Sequence, residues 1–308
     1  MKINNVEDLF DHMEVITEGT YGMVYKATRR DSGEVVAIKK YKANSTHTEN
    51  GLCITLLREI SLLKRLTHPN IVETKQVLVD AKQGVYCVMP FYPRNLKRFK
   101  LDNPKTKIGE IRAILRQILE AVAFIHAANV AHRDINPRNI LVTDSLDVRI
   151  CDFGLARLLF PGRTKDLTRE IVTLNYRAPE IILGELHYDS KIDMWSIGCV
   201  FYELISGKQL FKSSEERGLL IEICQVFGTP NSLTWPAFQG YLEKAGITIP
   251  RFEESSFFKL DLINGGLSRA GVDLVRKLLL FDPSRRIDAA GALKHPIFSE
   301  TDGLDFLP

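Results

Sequence analysis

The residues of this chain that could do chemistry together fall in a few short segments. Asp134 and Asn139 share the run His132-Arg133-Asp134-Ile135-Asn136-Pro137-Arg138-Asn139, and Asp152 opens Asp152-Phe153-Gly154 after one strand-length segment. Asp134 is suited to accept the proton of a hydroxyl nucleophile, while Asn139 and Asp152 offer the oxygen donors that a hard cation such as Mg2+ requires. Upstream, Lys39 ends the apolar strand Val36-Ala37-Ile38-Lys39, and Glu59 on the following helix can pair with it. A lysine held in that way would grip the α and β phosphates of ATP. The glycines of Glu18-Gly19-Thr20-Tyr21-Gly22 would let backbone N–H groups approach those phosphates closely. Taken singly, each feature has a plainer reading: an ordinary hairpin turn, a lysine snorkelling to solvent, chance tripeptides in loops. Taken in this order, with Ala178-Pro179-Glu180 downstream and Arg286 placed to pair with Glu180, they point to phosphoryl transfer.

The elements that must position these residues change character along the chain. Strand-like alternation runs from Glu14 to Lys40, with turns at Gly19 to Gly22 and at Asp31-Ser32-Gly33. A polar loop from Ala43 to Gly51 precedes apolar residues at helical spacing from Ile54 to Leu66. Two further strand-like runs, Val72 to Val79 and Val85 to Met89, lead to a connector marked by Pro90 and Pro93. Helical patterns dominate beyond it, at Ile108 to Ala128, Lys191 to Ser206, Glu215 to Phe227 and Arg269 to Phe281. Weak periodicity from Gly240 to Gly266 predicts a long surface excursion. The expected fold class is α+β: a small β-rich N-lobe with one helix (1–90), a hinge (90–95) and a larger, mainly helical C-lobe (96–308), forming a single domain.

Composition limits the alternatives. A chain of 308 residues with 45% hydrophobic residues has ample core for two lobes. A formal net charge of +3 argues for neither nucleic acid nor a membrane surface as partner. The cysteines Cys53, Cys87, Cys151, Cys199 and Cys224 show no metal-ligand spacing and no disulfide pattern, which fits a reducing compartment, cytoplasmic or nuclear. The first residues, with Lys2, Asn4, Asn5, Glu7 and Asp8, do not read as a signal peptide, and the apolar run Ile197 to Ile205 is too short to span a bilayer.

From end to end the chain resembles a protein kinase, and specifically the cyclin-dependent kinase family. The finer likeness is carried by Glu18-Gly19-Thr20-Tyr21-Gly22, by Leu57-Arg58-Glu59-Ile60-Ser61-Leu62-Leu63-Lys64, by Asp152-Phe153-Gly154-Leu155-Ala156-Arg157, and by Thr173-Leu174-Asn175-Tyr176-Arg177-Ala178-Pro179-Glu180. Gly228-Thr229-Pro230 with Trp235-Pro236 also resembles a C-lobe segment of that family. The resemblance implies a two-lobed kinase fold and a serine/threonine kinase using ATP and Mg2+. Asp134 would be the base, Lys39 and Glu59 the phosphate-holding pair, and Asn139 and Asp152 the metal ligands. ATP would lie among Ile16, Thr17, Glu18, Gly19, Thr20, Tyr21, Gly22, Val24, Ala37, Lys39, Met89, Pro90, Tyr92, Asn95 and Leu141. Met89 would be the gatekeeper, Pro90 would offer its carbonyl and Tyr92 its N–H to adenine, and Asn95 would stand where an aspartate often meets the ribose. Cys151 would be either a thiol reachable from that pocket or a small buried residue.

Regulation follows from the same likeness. Ile54 and Leu57 would leave an apolar patch for a cyclin-like regulatory subunit, while Leu52, Leu56, Ile60 and Leu63 face the lobe; a fully buried helix is the alternative. Thr168 matches an activating site for an upstream kinase, with Arg58, Arg133 and Arg157 placed to surround its phosphate. Without phosphate those arginines would repel one another. Thr20 and Tyr21 resemble an inhibitory phosphorylation pair. Val172 and Arg177 match positions that favour proline after the acceptor, so protein substrates with Ser/Thr-Pro sites are expected. Thr173 resembles the threonine that bridges to the base in serine/threonine kinases.

The chain departs from the family pattern at three places besides Asn95. Thr17 stands where a glycine is usual, Asn175 where a tryptophan is common, and Asn136 where a lysine is expected. Loss of that lysine would remove roughly 10²–10³ in rate, by comparison with other electrostatic stabilisers. Arg138, four residues after Asp134, resembles the tyrosine-kinase arginine that does the lysine's work; a solvent-facing arginine is the plainer reading. Two readings therefore stand: an active kinase, or a weakly active or pseudokinase scaffold that binds nucleotide and partners.

Overall fold

Alternation along one strand separates two faces of a sheet and sets most of the N-lobe. In the computed structural model the structure describes residues 1–19, 22–41, 59–62, 65–81, 84–159 and 172–300. Strands β1 (Phe10–Gly19), β2 (Gly22–Arg29), β3 (Val35–Tyr41), β4 (Gln76–Val79) and β5 (Val85–Pro90) form a five-stranded sheet in the order β1-β2-β3-β5-β4. Successive side chains of a strand point to opposite faces. Val36 and Ile38 therefore enter one cluster with Val6, Phe10, Ala27, Leu78, Tyr86 and Val88. Ala37, Lys39 and Tyr41 face the other way. The register pairs Ala37 with Met89 and Lys39 with Cys87, so these residues share the face that carries the chemistry. Helix α1, described over residues 59–62 with residue 65, covers it, and its Ile60 packs against Tyr41, Val85 and Cys87.

At the far edge, residues 1–3 run beside β4. The Ile3 N–H donates to the Val79 carbonyl and the Val79 N–H to the Met1 carbonyl, both at 2.9 Å. This satisfies groups that an open strand edge would expose. The expected strand Val72 to Val79 is shorter than its sequence suggests, because only Gln76–Val79 joins the sheet. Ile71 and Val72 are buried and tied to Ile150 of the C-lobe instead, with the Val72 N–H donating to the Ile150 carbonyl at 2.9 Å.

Beyond Pro90 the chain forms β6 (Arg94–Asn95), which pairs with β8 (Ile140–Val142), itself paired with β9 (Val148–Ile150). Helix α2 (Leu96–Asp102) starts there, capped by the Asn95 side chain, which accepts from the Arg98 N–H at 2.9 Å. Helix α3 (Ile108–Ala127) buries a stripe that includes Ile111, Ile114, Leu115, Ile118, Leu119, Val122 and Ile125. It leads into β7 (Val130–Ala131), which pairs with β10 (Arg157–Leu158). After α4 (Pro179–Ile182), helix α5 (Lys191–Ser206) is buried nearly all round, as befits the central helix of a lobe. Among the described residues, no helix is long and apolar enough to cross a membrane.

The outer helices are α6 (Glu216–Phe227), α7 (Phe238–Ala245), α8 (Ser256–Asn264), α9 (Arg269–Leu278) and α10 (Ala289–Leu293). The surface excursion expected from Gly240 to Gly266 is thus corrected: α8 and most of α7 lie within it. Leu242, Phe258 and Leu262 are buried, Tyr202 stacks on Phe258 at 5.5 Å, and its hydroxyl donates to Asp261 at 2.7 Å. Each helix is too short for its apolar residues to establish a period. Leu62, outside the face expected to pack, is buried in the main cluster with Leu66 and Phe153.

One buried ion pair ties α4 to the segment after α9. Arg286 donates Nη1 to Glu180 Oε1 at 2.8 Å and Nη2 to Oε2 at 3.0 Å, with its Nε on the Leu280 carbonyl at 3.0 Å. Its guanidinium also lies 5.2 Å from the Trp195 ring centroid. A pair of this kind is most damaging when half of it is removed. Arg286→Ala should lower the unfolding free energy by about 3–5 kcal/mol, measured by urea denaturation, and Glu180→Ala added to it should cost far less than it does alone.

Candidate active site

A single ammonium group joins three separate elements. Lys39 Nζ lies 2.8 and 3.0 Å from the Glu59 carboxylate oxygens and 3.0 Å from Asp152 Oδ1. Glu59 is only 2% exposed. Burial works against the charge on Lys39, but the Glu59 and Asp152 carboxylates overcome it and hold its pKa above the ordinary lysine value. Tyr41, which sequence reasoning missed, completes this corner. Lys39 Nζ stands 5.0 Å from its ring centroid, and its hydroxyl is buried beside Glu59 and Cys87. The signal was present in the strand period, since Tyr41 follows Lys39 by two.

The loop after β7 is held from beneath by one carboxylate. Asp193, at the start of α5, accepts the Arg133 N–H at 2.8 Å, the His132 N–H at 2.8 Å and His126 Nε2 at 2.9 Å. Burial alone would raise the Asp193 pKa, yet the His126 hydrogen bond, the neighbouring His126 and His132 rings and the Arg133 N–H bring it below the ordinary value. The Asp134 N–H donates to His132 Nδ1 at 3.2 Å, and His132 Nε2 meets the Cys151 carbonyl at 3.1 Å, which assigns the Nε2–H tautomer. The His132 ring meets Phe153 edge-on at 4.8 Å.

Asp134 is oriented through both oxygens. Oδ1 accepts the Thr173 N–H and Oγ1–H at 2.9 Å each, and Oδ2 accepts Asn139 Nδ2 at 2.7 Å. Asn136 donates Nδ2 to Thr173 Oγ1 at 3.2 Å and to the Asp134 carbonyl at 3.1 Å, and its Oδ1 accepts the Arg138 N–H at 2.9 Å. Arg138 is exposed, and its side chain has no hydrogen bond or ion pair among the described residues. Burial raises the Tyr176 pKa, with the Arg138 charge acting in the opposite sense, which places that charge near the Tyr176 phenol.

The described residues expected to meet nucleotide lie on β1, β2, β3 and β5, in the segment after Pro90 and on β8. Ile16, Thr17, Glu18 and Gly19 are exposed on β1, while Val24, Ala37, Met89, Pro90, Tyr92, Asn95 and Leu141 are half-buried. Thr17 faces Val24 just after a register break in β1. A Cβ at Gly22 would lie 2.1 Å from the Lys40 carbonyl oxygen, so only glycine fits there whatever it does for phosphate. Asn95 uses its side-chain oxygen to cap α2. Burial pushes the Cys151 thiol pKa up, which argues against a reactive thiolate.

Three residues at this site carry left-handed backbone without being glycine: Arg133 (φ 68°), Asp152 (φ 63°) and Val172 (φ 65°). For the β-branched Val172 this is a strained conformation. It is held from outside, since Arg177 Nη2 donates to the Val172 carbonyl at 2.9 Å while its Nη1 pairs with Glu216. Asn175 donates to the Ser213 carbonyl at 2.9 Å. Arg133 is already engaged: its Nε donates to the Leu155 carbonyl at 2.7 Å and its Nη1 to the Tyr188 hydroxyl at 2.6 Å. Arg157 lies on β10, half-buried. Thr20, Tyr21, Ile54, Leu57, Arg58 and Thr168 lie outside the described residues.

Comparison with known proteins agrees with this geometry. The protein kinase domain family matches residues 10–298. The chain is 40% identical over 298 residues to cell division control protein 2 homolog 3 of Trypanosoma brucei brucei, covering 95% of this chain and 93% of that protein. Its fold is similar to a chain in the crystal structure of the yeast RNA polymerase II CTD kinase CTDK-1 complex, with a TM-score of 0.84, 28% identity, and coverage of 95% of this chain and 94% of that one.

The anchoring carboxylate gives a testable pH dependence. Because the folded-state pKa of Asp193 is depressed, its contribution is present above the unfolded value near pH 4 and is lost as pH falls through the folded value. The difference in unfolding free energy between wild type and Asp193→Asn should therefore be smaller at about pH 3 than at about pH 5. Equal differences at the two pH values would remove the charge from the account.

Proposed function

We propose that this chain, which belongs to the protein kinase family and is of the cyclin-dependent kinase type, is an active serine/threonine kinase that phosphorylates sites followed by proline. The observation that carries the reading is the convergence on one cleft of Lys39, bridging Glu59 and Asp152, and of Asp134, fixed by Thr173 and Asn139. Asp134 would take the proton of the substrate hydroxyl. Lys39 would meet the α and β phosphates with its ammonium already oriented by Glu59. Asn139 uses Nδ2 on Asp134, and neither its Oδ1 nor Asp152 Oδ2 has a hydrogen bond among the described residues. A carbonyl and a carboxylate oxygen suit Mg2+, and these two residues would hold it; the ion would neutralise charge on the transferring group.

The proline preference is supported by Val172. Its left-handed backbone and the Arg177 bond tie up its carbonyl, leaving no acceptor there for a substrate N–H. An ordinary residue after the acceptor would lose a hydrogen-bond partner; proline has no N–H to lose. A cyclin-like subunit docking at Ile54 and Leu57 would stabilise the Lys39–Glu59 pair, and an upstream kinase would modify Thr168, whose phosphate Arg58, Arg133 and Arg157 would bind. The names of the relatives refer to cell division control and to an RNA polymerase II CTD kinase.

The scaffold reading is weaker because base, lysine pair and both proposed metal ligands are retained. Asn136 lacks a charge, and Arg138, exposed four residues after Asp134, is proposed to supply it. The test is transfer from ATP to a Ser-Pro peptide by the phosphorylated, partner-bound protein, with Asp134→Asn as the blank. Equal signals from the two would end the enzyme reading. Arg138→Ala should lower kcat by roughly 10²-fold while changing the KM for Mg-ATP little; an unchanged kcat would remove Arg138 from the reaction. Replacing the peptide proline by alanine should lower kcat/KM by about tenfold or more.

A further inference from the structure

We infer that Asn136 is a positioning residue that sets the proton-accepting geometry of Asp134 through Thr173. This rests on the reading of Asp134 as the base. Asn136 is 3% exposed, and its side-chain amide is fully engaged inside the loop. One donor interaction of Nδ2 goes to Thr173 Oγ1, which then donates its own proton to Asp134 Oδ1 at 2.9 Å. The other goes to the Asp134 carbonyl, fixing the backbone of the same residue. Oδ1 accepts the Arg138 N–H and so shapes the turn from which the exposed arginine projects.

The directions of these bonds are decisive. The Thr173 hydroxyl has one proton and accepts from Asn136, so that proton is directed to Asp134. If Asn136 is removed, the hydroxyl can rotate its proton elsewhere. Asp134 Oδ1 then keeps only the Thr173 N–H, at 2.9 Å. A neutral amide can supply this orientation, but it brings no charge to the phosphoryl group. Orientation by Asn136 and charge supplied elsewhere are therefore separable in this loop.

Separability is what the experiment measures, again on the phosphorylated, partner-bound protein with Mg-ATP and a Ser-Pro peptide. Asn136→Ala should lower kcat about tenfold and leave the KM for Mg-ATP within about twofold, since Asn136 acts through Thr173 and Asp134. Asn136→Asp, the same size with an acceptor in place of the donor, should lose more than the alanine variant. The critical measurement is a double-mutant cycle with Thr173→Val. In that background Asn136→Ala should lower kcat by only about threefold, because the hydroxyl is gone and only its bonds to the Asp134 carbonyl and the Arg138 N–H remain to be lost. Losses that multiply independently, or an aspartate variant as active as wild type, would overturn the inference. A readout independent of catalysis is hydrogen exchange at the Arg138 N–H, which should accelerate in Asn136→Ala; unchanged exchange would refute the tie. If wild type shows no Asp134-dependent transfer, the failure lies with the proposed function, whereas independent losses in an active enzyme would fail this inference alone.

Discussion

A buried ammonium cannot be left unpaired, and much of the cleft is arranged around that requirement. Lys39 sits on β3, Glu59 on α1 and Asp152 on the turn after β9. These elements come from both lobes and are far apart in sequence. Desolvating Lys39 and Glu59 separately would be prohibitive, while pairing them, with the more exposed Asp152 also on the ammonium, makes their burial tolerable. The sheet register, the seating of Ile60 against Tyr41 and Cys87, and the left-handed backbone of Asp152 all place these side chains within reach of one another. The pair therefore constrains the relation of helix to sheet and of sheet to loop at once.

A second charge organises the opposite side. Asp193 is buried and accepts from consecutive N–H groups, so the backbone at His132 and Arg133 is fixed by α5. Arg133 carries a positive φ there and extends its guanidinium to Leu155 and Tyr188. The cleft is thus framed by an anchored cation above and an anchored anion below. Asp134, Asn139 and Thr173 lie between these anchors and are bonded to one another.

Much of this was legible before any coordinates. The strands from Glu14 to Lys40, the Lys39–Glu59 partnership and the Glu180–Arg286 pair follow from alternation and from ordered motifs, and the Thr173–Asp134 bridge from the family resemblance. What escaped was of a different kind. His126 and Asp193 are 67 residues apart and meet only because α3 packs on α5. Tyr41 follows the strand period but looks like any aromatic strand residue. Leu62 packs across the lobe boundary, which a helical wheel cannot show. In α7 and α8 the apolar residues are too few per helix for a period to emerge, although Leu262 is as buried as any core residue. Asn136 was read as a missing lysine, since sequence shows what is lost at a position and not the bonds its replacement makes.

Val172 illustrates a tension between comfort and purpose. Its left-handed backbone is the conformation that glycine adopts most easily, yet its side chain is packed into the main core at 5% exposure. Packing and the Arg177 bond together hold a shape that valine would otherwise leave. A drift to glycine would ease local stereochemistry while loosening the carbonyl proposed to screen the residue after the acceptor. Selection for a more relaxed backbone at this position would therefore run against selection for a discriminating one.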